Sequence, residues 1–168
     1  MPARVAPHRL MNTKLGNLLS EAQILPDLRA ADRWEAIEEL VSKLVQTGKV
    51  KSEDRNAIVG AIRRREFSMS TGIGFGIGIP HASTELVHEP VAAFGRSSRK
   101  INFDSLDGQP VSFVILFLVP QGQFQKHLHT MSEIAKLLKD IDFRQALEQA
   151  SDAGTILQIF RGSTCHND

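Results

Sequence analysis

One histidine of this chain closes a segment built unlike the rest of it. Residues 65–81, REFSMSTGIGFGIGIPH, carry Gly72, Gly74, Gly76 and Gly78 alternating with Thr71, Ile73, Phe75, Ile77 and Ile79, and end on Pro80-His81. In an extended chain this alternation leaves one side as bare backbone, which another group can approach closely. Successive free N–H groups in such a loop form a concavity for anionic oxygens, so the expected ligand is a phosphate. Pro80 fixes the backbone ahead of His81 and holds Ile79 extended, so a rigid strand end presents the imidazole. With an ordinary pKa near about 6.5, that ring is substantially neutral at cytoplasmic pH, and a neutral imidazole is a nucleophile toward phosphorus as well as a base.

Several other chemistries are disfavoured. No Lys-Ser/Thr follows the glycines as a Walker A loop requires, and the spacing is G-x-G-x-G-x-G rather than G-x-G-x-x-G, which argues against nucleotide binding. His8, His88 and His166 have no partner at ligand spacing, and His127 and His129 splay apart on a helix, so no metal and no cofactor is expected. Twenty Lys+Arg balance nineteen Asp+Glu in 168 residues, with no long single-sign run to hold a nucleic acid. The single Cys165 can form no internal disulfide, which fits a reducing cytoplasm. The longest apolar run, residues 111–120, falls short of the roughly 20 residues of a spanning helix, so no direct membrane insertion is expected.

The elements that must position His81 follow from periodicity. Residues 1–12 carry Pro2 and Pro7 without apolar period and read as a flexible arm. A short helix and short strand are expected over 15–26, then an amphipathic helix from Asp32 with Trp34, Ile37, Leu40, Val41, Leu44 and Val45 on one face, stopped by Gly48. Ser52 is expected to cap a second amphipathic helix running to about Glu66. Weak alternation over 90–97 marks a strand, residues 104–110 (DSLDGQP) a turn, and 111–119 (VSFVILFLV) a central strand buried on both faces. Three helical patterns follow, the first over 127–139, and the tail 163–168 reads as disordered. The fold class expected is α/β, a small mixed sheet flanked by helices, in one domain over 13–162.

Taken together, STGIGFGIGIPHA behind Arg65-Glu66, the block HEPVAAFGRSSRKINFDSLDGQPVSFVILFLVP and the segment KHLHTMSEIAKLL resemble the fructose/mannitol and nitrogen-related class of phosphotransferase system (PTS) IIA proteins, over about residues 15–160. The resemblance implies that His81 receives phosphate from the histidine-containing phosphocarrier protein and passes it on. It implies a supporting role for His127, at the start of the helix after the buried strand, and a phosphate-stabilising role for Arg65. A guanidinium there can hold phosphate oxygens bidentately, and a helix N-terminus favours anions. The sequence departs from the family pattern at Phe75, where a small polar residue, commonly Asn, is expected, which puts turnover or partner choice in doubt if that side chain serves the site.

Three functions compete. The chain is a phosphocarrier feeding sugar transport through a downstream IIB domain, a regulator of the nitrogen-related kind acting on a transporter or kinase, or a degenerate binding module that is never phosphorylated. The first two share His81, and Phe75 is the one hint of the third.

Overall fold

The computed structural model describes residues 14–162. The arm over 1–12, the tail over 163–168 and Cys165 lie outside the described residues.

The apolar run 111–120 organises everything else. It forms β6 (Val111–Pro120), and nearly all of its side chains are buried. On one side β6 pairs antiparallel with β5 (Val91–Ile101), which pairs in turn with the short parallel β1 (Ile24–Leu25). The expected strand over 90–97 thus runs on to Ile101. The other side of β6 takes β3 (Ile77–Gly78) and then β4 (His81–Thr84), both parallel to it, and β2 (Gly72–Gly74) forms a hairpin with β3. The sheet order is β1-β5-β6-β3-β2, with β4 on β6 beyond β3. Register carries straight across the gap: Gly78 lies opposite Val114 and His81 opposite Phe117. β3 and β4 are therefore one line of chain, interrupted where Pro80 has no N–H to give the ladder.

Both faces of this mixed sheet are covered, because successive β6 residues point to opposite sides. Val114, Leu116 and Leu118 pack under α2 (Arg33–Gln46) and α3 (Arg55–Ser68). Phe113, Ile115, Phe117 and Val119 pack under α1 (Lys14–Leu18), α4 (Phe124–Lys139), α5 (Ile141–Gln149) and α6 (Ala153–Phe160). A sheet buried on both faces needs continuous apolar runs rather than alternation, which is what β6 supplies.

Side-chain caps set three of the six α-helix starts among the described residues. The Asp32, Asp140 and Asp152 side chains accept the N–H of Glu35, Phe143 and Thr155, opening α2, α5 and α6. Gly48, at φ +78°, ends the chain direction of α2. Ser52 is not the cap expected of it. It begins a 3₁₀ turn over Ser52–Asp54, and α3 starts only at Arg55. α4 begins at Phe124, one turn earlier than the apolar pattern from His127 indicates.

Candidate functional site

His81 is the first residue of β4 and only 9% exposed. Its Nδ1 lies 2.8 Å from the Ile79 carbonyl oxygen. A carbonyl can only accept, so Nδ1 carries the proton and donates, and the neutral ring keeps its lone pair on Nε2. The contact spans two residues across Pro80, so the rigid backbone that delivers the ring also selects its tautomer. Burial pushes the His81 pKa below its ordinary value, opposed by the bond to Ile79; the Arg65 charge lowers it further and the Glu66 charge raises it. The ring is accordingly neutral at pH 7.

The last turns of α3 form one wall. Arg64 and Arg65 line an open depression of about 450 Å³ together with His81, Ser83 and Phe124. Nη1 of Arg65 donates to the Met69 carbonyl at 2.9 Å, which folds the guanidinium back over the end of its own helix. The neighbouring Glu66 is turned inward and is 1% exposed. Its carboxylate accepts the Thr71 N–H at 3.1 Å, the Thr71 hydroxyl at 2.5 Å and Nη1 of Arg33 at 3.3 Å. A buried carboxylate needs such partners to offset its desolvation. Consecutive positions on α3 thus divide the work: Arg65 faces the depression and Glu66 anchors the start of the glycine segment.

The opposite wall comes from α4. Phe124 stacks on His81 with ring centroids 5.8 Å apart and planes 23° apart. His127 follows one turn later, on the same side of the helix and half-buried, with Nε2 3.4 Å from Oε1 of Gln123. The depression thus gathers His81 and Arg65, while His127 stands beside it in the first turns of α4 and is not part of its lining. His129 faces solvent and pairs with Glu133 at 3.0 Å. Phe124 and Glu66 are the members of this neighbourhood that sequence reasoning passes over. Glu66 had a signal, a carboxylate fixed next to Arg65; Phe124 had only its place ahead of His127.

The glycines form the β2–β3 hairpin, and at Gly72 and Gly78 the group that approaches the bare backbone closely is the chain itself. A Cβ on Gly72 would lie 2.9 Å from the Ser105 Cα, and one on Gly78 would lie 2.8 Å from the Phe103 ring. Gly74 and Gly76 take φ of +97° and +76° to make the turn. The turn's Phe75 adopts φ +59° and is 56% exposed, with the Arg144 guanidinium 5.4 Å and the Lys139 ammonium 6.0 Å from its ring. Ile77 and His81 are four residues apart on the same line, roughly 13 Å at the strand rise, and the turn lies beyond Ile77. Phe75 is therefore at the far end of the segment from the imidazole.

Among the described residues no group of three or more His, Cys, Asp or Glu side chains is placed to hold a metal ion. No helix there is long and apolar enough to cross a membrane. What the geometry defines is a neutral imidazole in a cationic depression on a mixed α/β sheet, suited to an anionic group. The particular family follows from comparison: residues 17–163 match the family described as phosphoenolpyruvate-dependent sugar phosphotransferase system, EIIA 2, and the chain belongs to it. It is 39% identical over 124 residues to the PTS system fructose-specific EIIA component of Haloferax volcanii, covering 74% of this chain and 79% of the relative. It is 32% identical over 143 residues to the nitrogen regulatory protein of Bradyrhizobium diazoefficiens, covering 85% and 92%. The crystal structure of the nitrogen regulatory protein IIA-Ntr from Neisseria meningitidis superposes with a TM-score of 0.78 at 28% identity, over 88% of this chain and 99% of that one. The α/β fold with one mixed sheet flanked by helices is that of the family.

Proposed function

We propose that this protein is a phosphocarrier that accepts a phosphoryl group on Nε2 of His81 from a histidine-containing phosphocarrier protein. The observation that carries the reading is the bond from Nδ1 to the Ile79 carbonyl, which leaves Nε2 as the ring's one nucleophilic atom. In the transfer the Nε2 lone pair forms the new N–P bond as the donor's N–P bond breaks, and the donor imidazole leaves with that electron pair. The acceptor ring gains positive charge, which the Ile79 carbonyl stabilises through the Nδ1 proton. Such a reaction asks for in-line placement and stabilised charge on the equatorial oxygens more than for covalent machinery. Arg65, with Arg64 beside it, supplies the cationic side of the depression. His127, near the N-terminus of α4, is proposed to support the phosphoryl oxygens from that wall.

The named relatives divide between a fructose-specific EIIA component and nitrogen regulatory proteins. Both routes begin at His81. We propose that the group then passes to a IIB domain, or that its presence controls a transporter or kinase in the cytoplasm. Phosphorylation adds about −1.5 to −2 charge to the depression, enough to change a partner's affinity by local electrostatics without refolding. The test is incubation of the protein and of His81→Ala with phosphoenolpyruvate, the general phosphotransferase enzyme and the histidine phosphocarrier, followed by intact mass. One acid-labile phosphoryl group on the wild type and none on the variant is expected. An unlabelled wild type would sink the proposal and leave the non-phosphorylated binding module in its place.

A further inference from the structure

A hydrogen bond at Nδ1 restrains the rotation of an imidazole about its Cβ–Cγ bond, but a single bond of this kind still lets the ring rock about that axis. His81 has its Nδ1 bond to Ile79, and the face of its imidazole meets the Phe124 ring. We propose that Phe124 is a positioning residue of this site, whose ring, stacked on His81, holds the imidazole in the plane in which Nε2 is presented to the phosphoryl donor. The proposal rests on the reading of His81 as the acceptor.

Phe124 is itself well held. One side packs with the core beneath α1, α4, α5 and α6, while it also lines the depression. The turn that delivers it is tied to the strand that carries His81: Gln121 N–H donates to the Thr84 carbonyl at the end of β4, and Gln123 N–H to the Pro120 carbonyl at the end of β6, each at 3.0 Å. Aromatic ring and imidazole are therefore registered against each other through a few backbone bonds, with no long flexible connection between them. An in-line displacement loses rate steeply when its reacting atoms are misdirected, so an orienting contact on the nucleophile acts on the rate at saturation.

The same ring contributes to the burial that keeps His81 neutral. The charged groups on the imidazole come from α3, with Arg65 lowering its proton affinity and Glu66 raising it, and with Arg64 in the same wall. From α4 the neighbouring titratable group is His127. None of these is changed by altering Phe124, so a shift in His81 titration on doing so reports the aromatic cover itself.

The experiment compares Phe124→Ala and Phe124→Leu with the wild type in the full chain. Imidazole ¹⁵N NMR gives the His81 pKa and tautomer, and stopped transfer from phosphorylated phosphocarrier, across donor concentrations, gives the saturating rate. In Phe124→Ala the His81 pKa is expected to rise toward about 6.5, the Nδ1–H form to give way to a mixture of tautomers, and the saturating rate to fall about ten- to a hundredfold. Phe124→Leu keeps apolar cover without a flat face, so its pKa stays low while its rate still falls. The Trp34 indole resonance, from the opposite face of the sheet, checks that both variants are folded. Wild-type tautomer and wild-type rate in both variants would overturn the proposal, as would a raised pKa with an unchanged rate. If the wild type itself accepts no phosphate, the phosphocarrier reading fails separately, and the tautomer measurement still decides whether Phe124 holds the ring.

Discussion

The line of chain laid along β6 uses its backbone in two different ways on the two sides of Pro80. Before it, the β2–β3 hairpin is bare because the connection from β5 to β6 fills the space, with Ser105 over Gly72 and Phe103 over Gly78. After it, the bare surface has gone, and a backbone carbonyl two residues back is used to orient a side chain. Glycine alternation is here a packing device, and the chemistry starts where the ladder is interrupted. A glycine-rich segment beside a histidine is thus no phosphate loop by composition alone; what surrounds each glycine decides.

The strongest way to break this comparison is to remove the cation that faces His81. Arg65→Ala is expected to lower the rate of phosphoryl transfer to His81 on the order of 10²-fold, the usual cost of deleting one preorganised charged donor. Its stability should change by no more than about 0.5–1 kcal/mol, since the side chain's bond to Met69 is at the surface. Transfer kinetics and denaturant unfolding on the same preparation separate the two effects. A rate within a few-fold of wild type would mean that the oxygens are held elsewhere, with His127 the next residue to alter.

Gly78→Ala tests the other half. The new methyl would meet ring carbons of Phe103 at 2.8 Å, and Phe103 is fully buried, so it cannot swing aside. Overpacking of this kind costs about 1–3 kcal/mol. Urea unfolding should show that loss, while the fraction that remains folded transfers phosphate within about twofold of the wild-type rate. A large fall in transfer at unchanged stability would mean that the glycine backbone belongs to the anion site after all.

These two regions also differ in how far they could be read without coordinates. Pro80-His81 declares itself, because proline's fixed φ and a strand-end position follow from residue identity. The apolar run of β6 likewise allows little but a central buried strand. The glycines mislead because identity says only that space is needed, and the occupant lies some 30 residues away at Phe103 and Ser105. Helix starts fail for a related reason: Ser52 has the chemistry of a cap, yet the chain makes a 3₁₀ turn first, and Phe124, although in phase with Leu128 and Met131, is separated from them by the polar residues Gln125, Lys126 and His127, so the start of α4 reads one turn late. Glu66 shows the same limit. Its partners Arg33 and Thr71 come from different elements, so a buried carboxylate looks like one more surface charge until the fold brings them together.

The smallest effect is expected at the hairpin tip, and it bears on the departure at Phe75. A residue at φ +59° pays about 1–2 kcal/mol unless it is glycine or, in part, asparagine, whose short polar side chain tolerates the left-handed region. That is a backbone reason for a small polar residue at this position, independent of any phosphate. In this chain the strain is offset by the ring's contacts with Arg144 and Lys139, each cation–π pair contributing about 0.5–1 kcal/mol at an exposed site. Phe75→Asn therefore relieves one term and loses the other, and urea unfolding should place it within about 1 kcal/mol of the wild type. Phosphoryl transfer to His81 should stay within about twofold, because the tip lies beyond Ile77, itself roughly 13 Å along the strand from the imidazole. A tenfold change in transfer, in either direction, would join the two ends of the segment functionally and undo the division at Pro80.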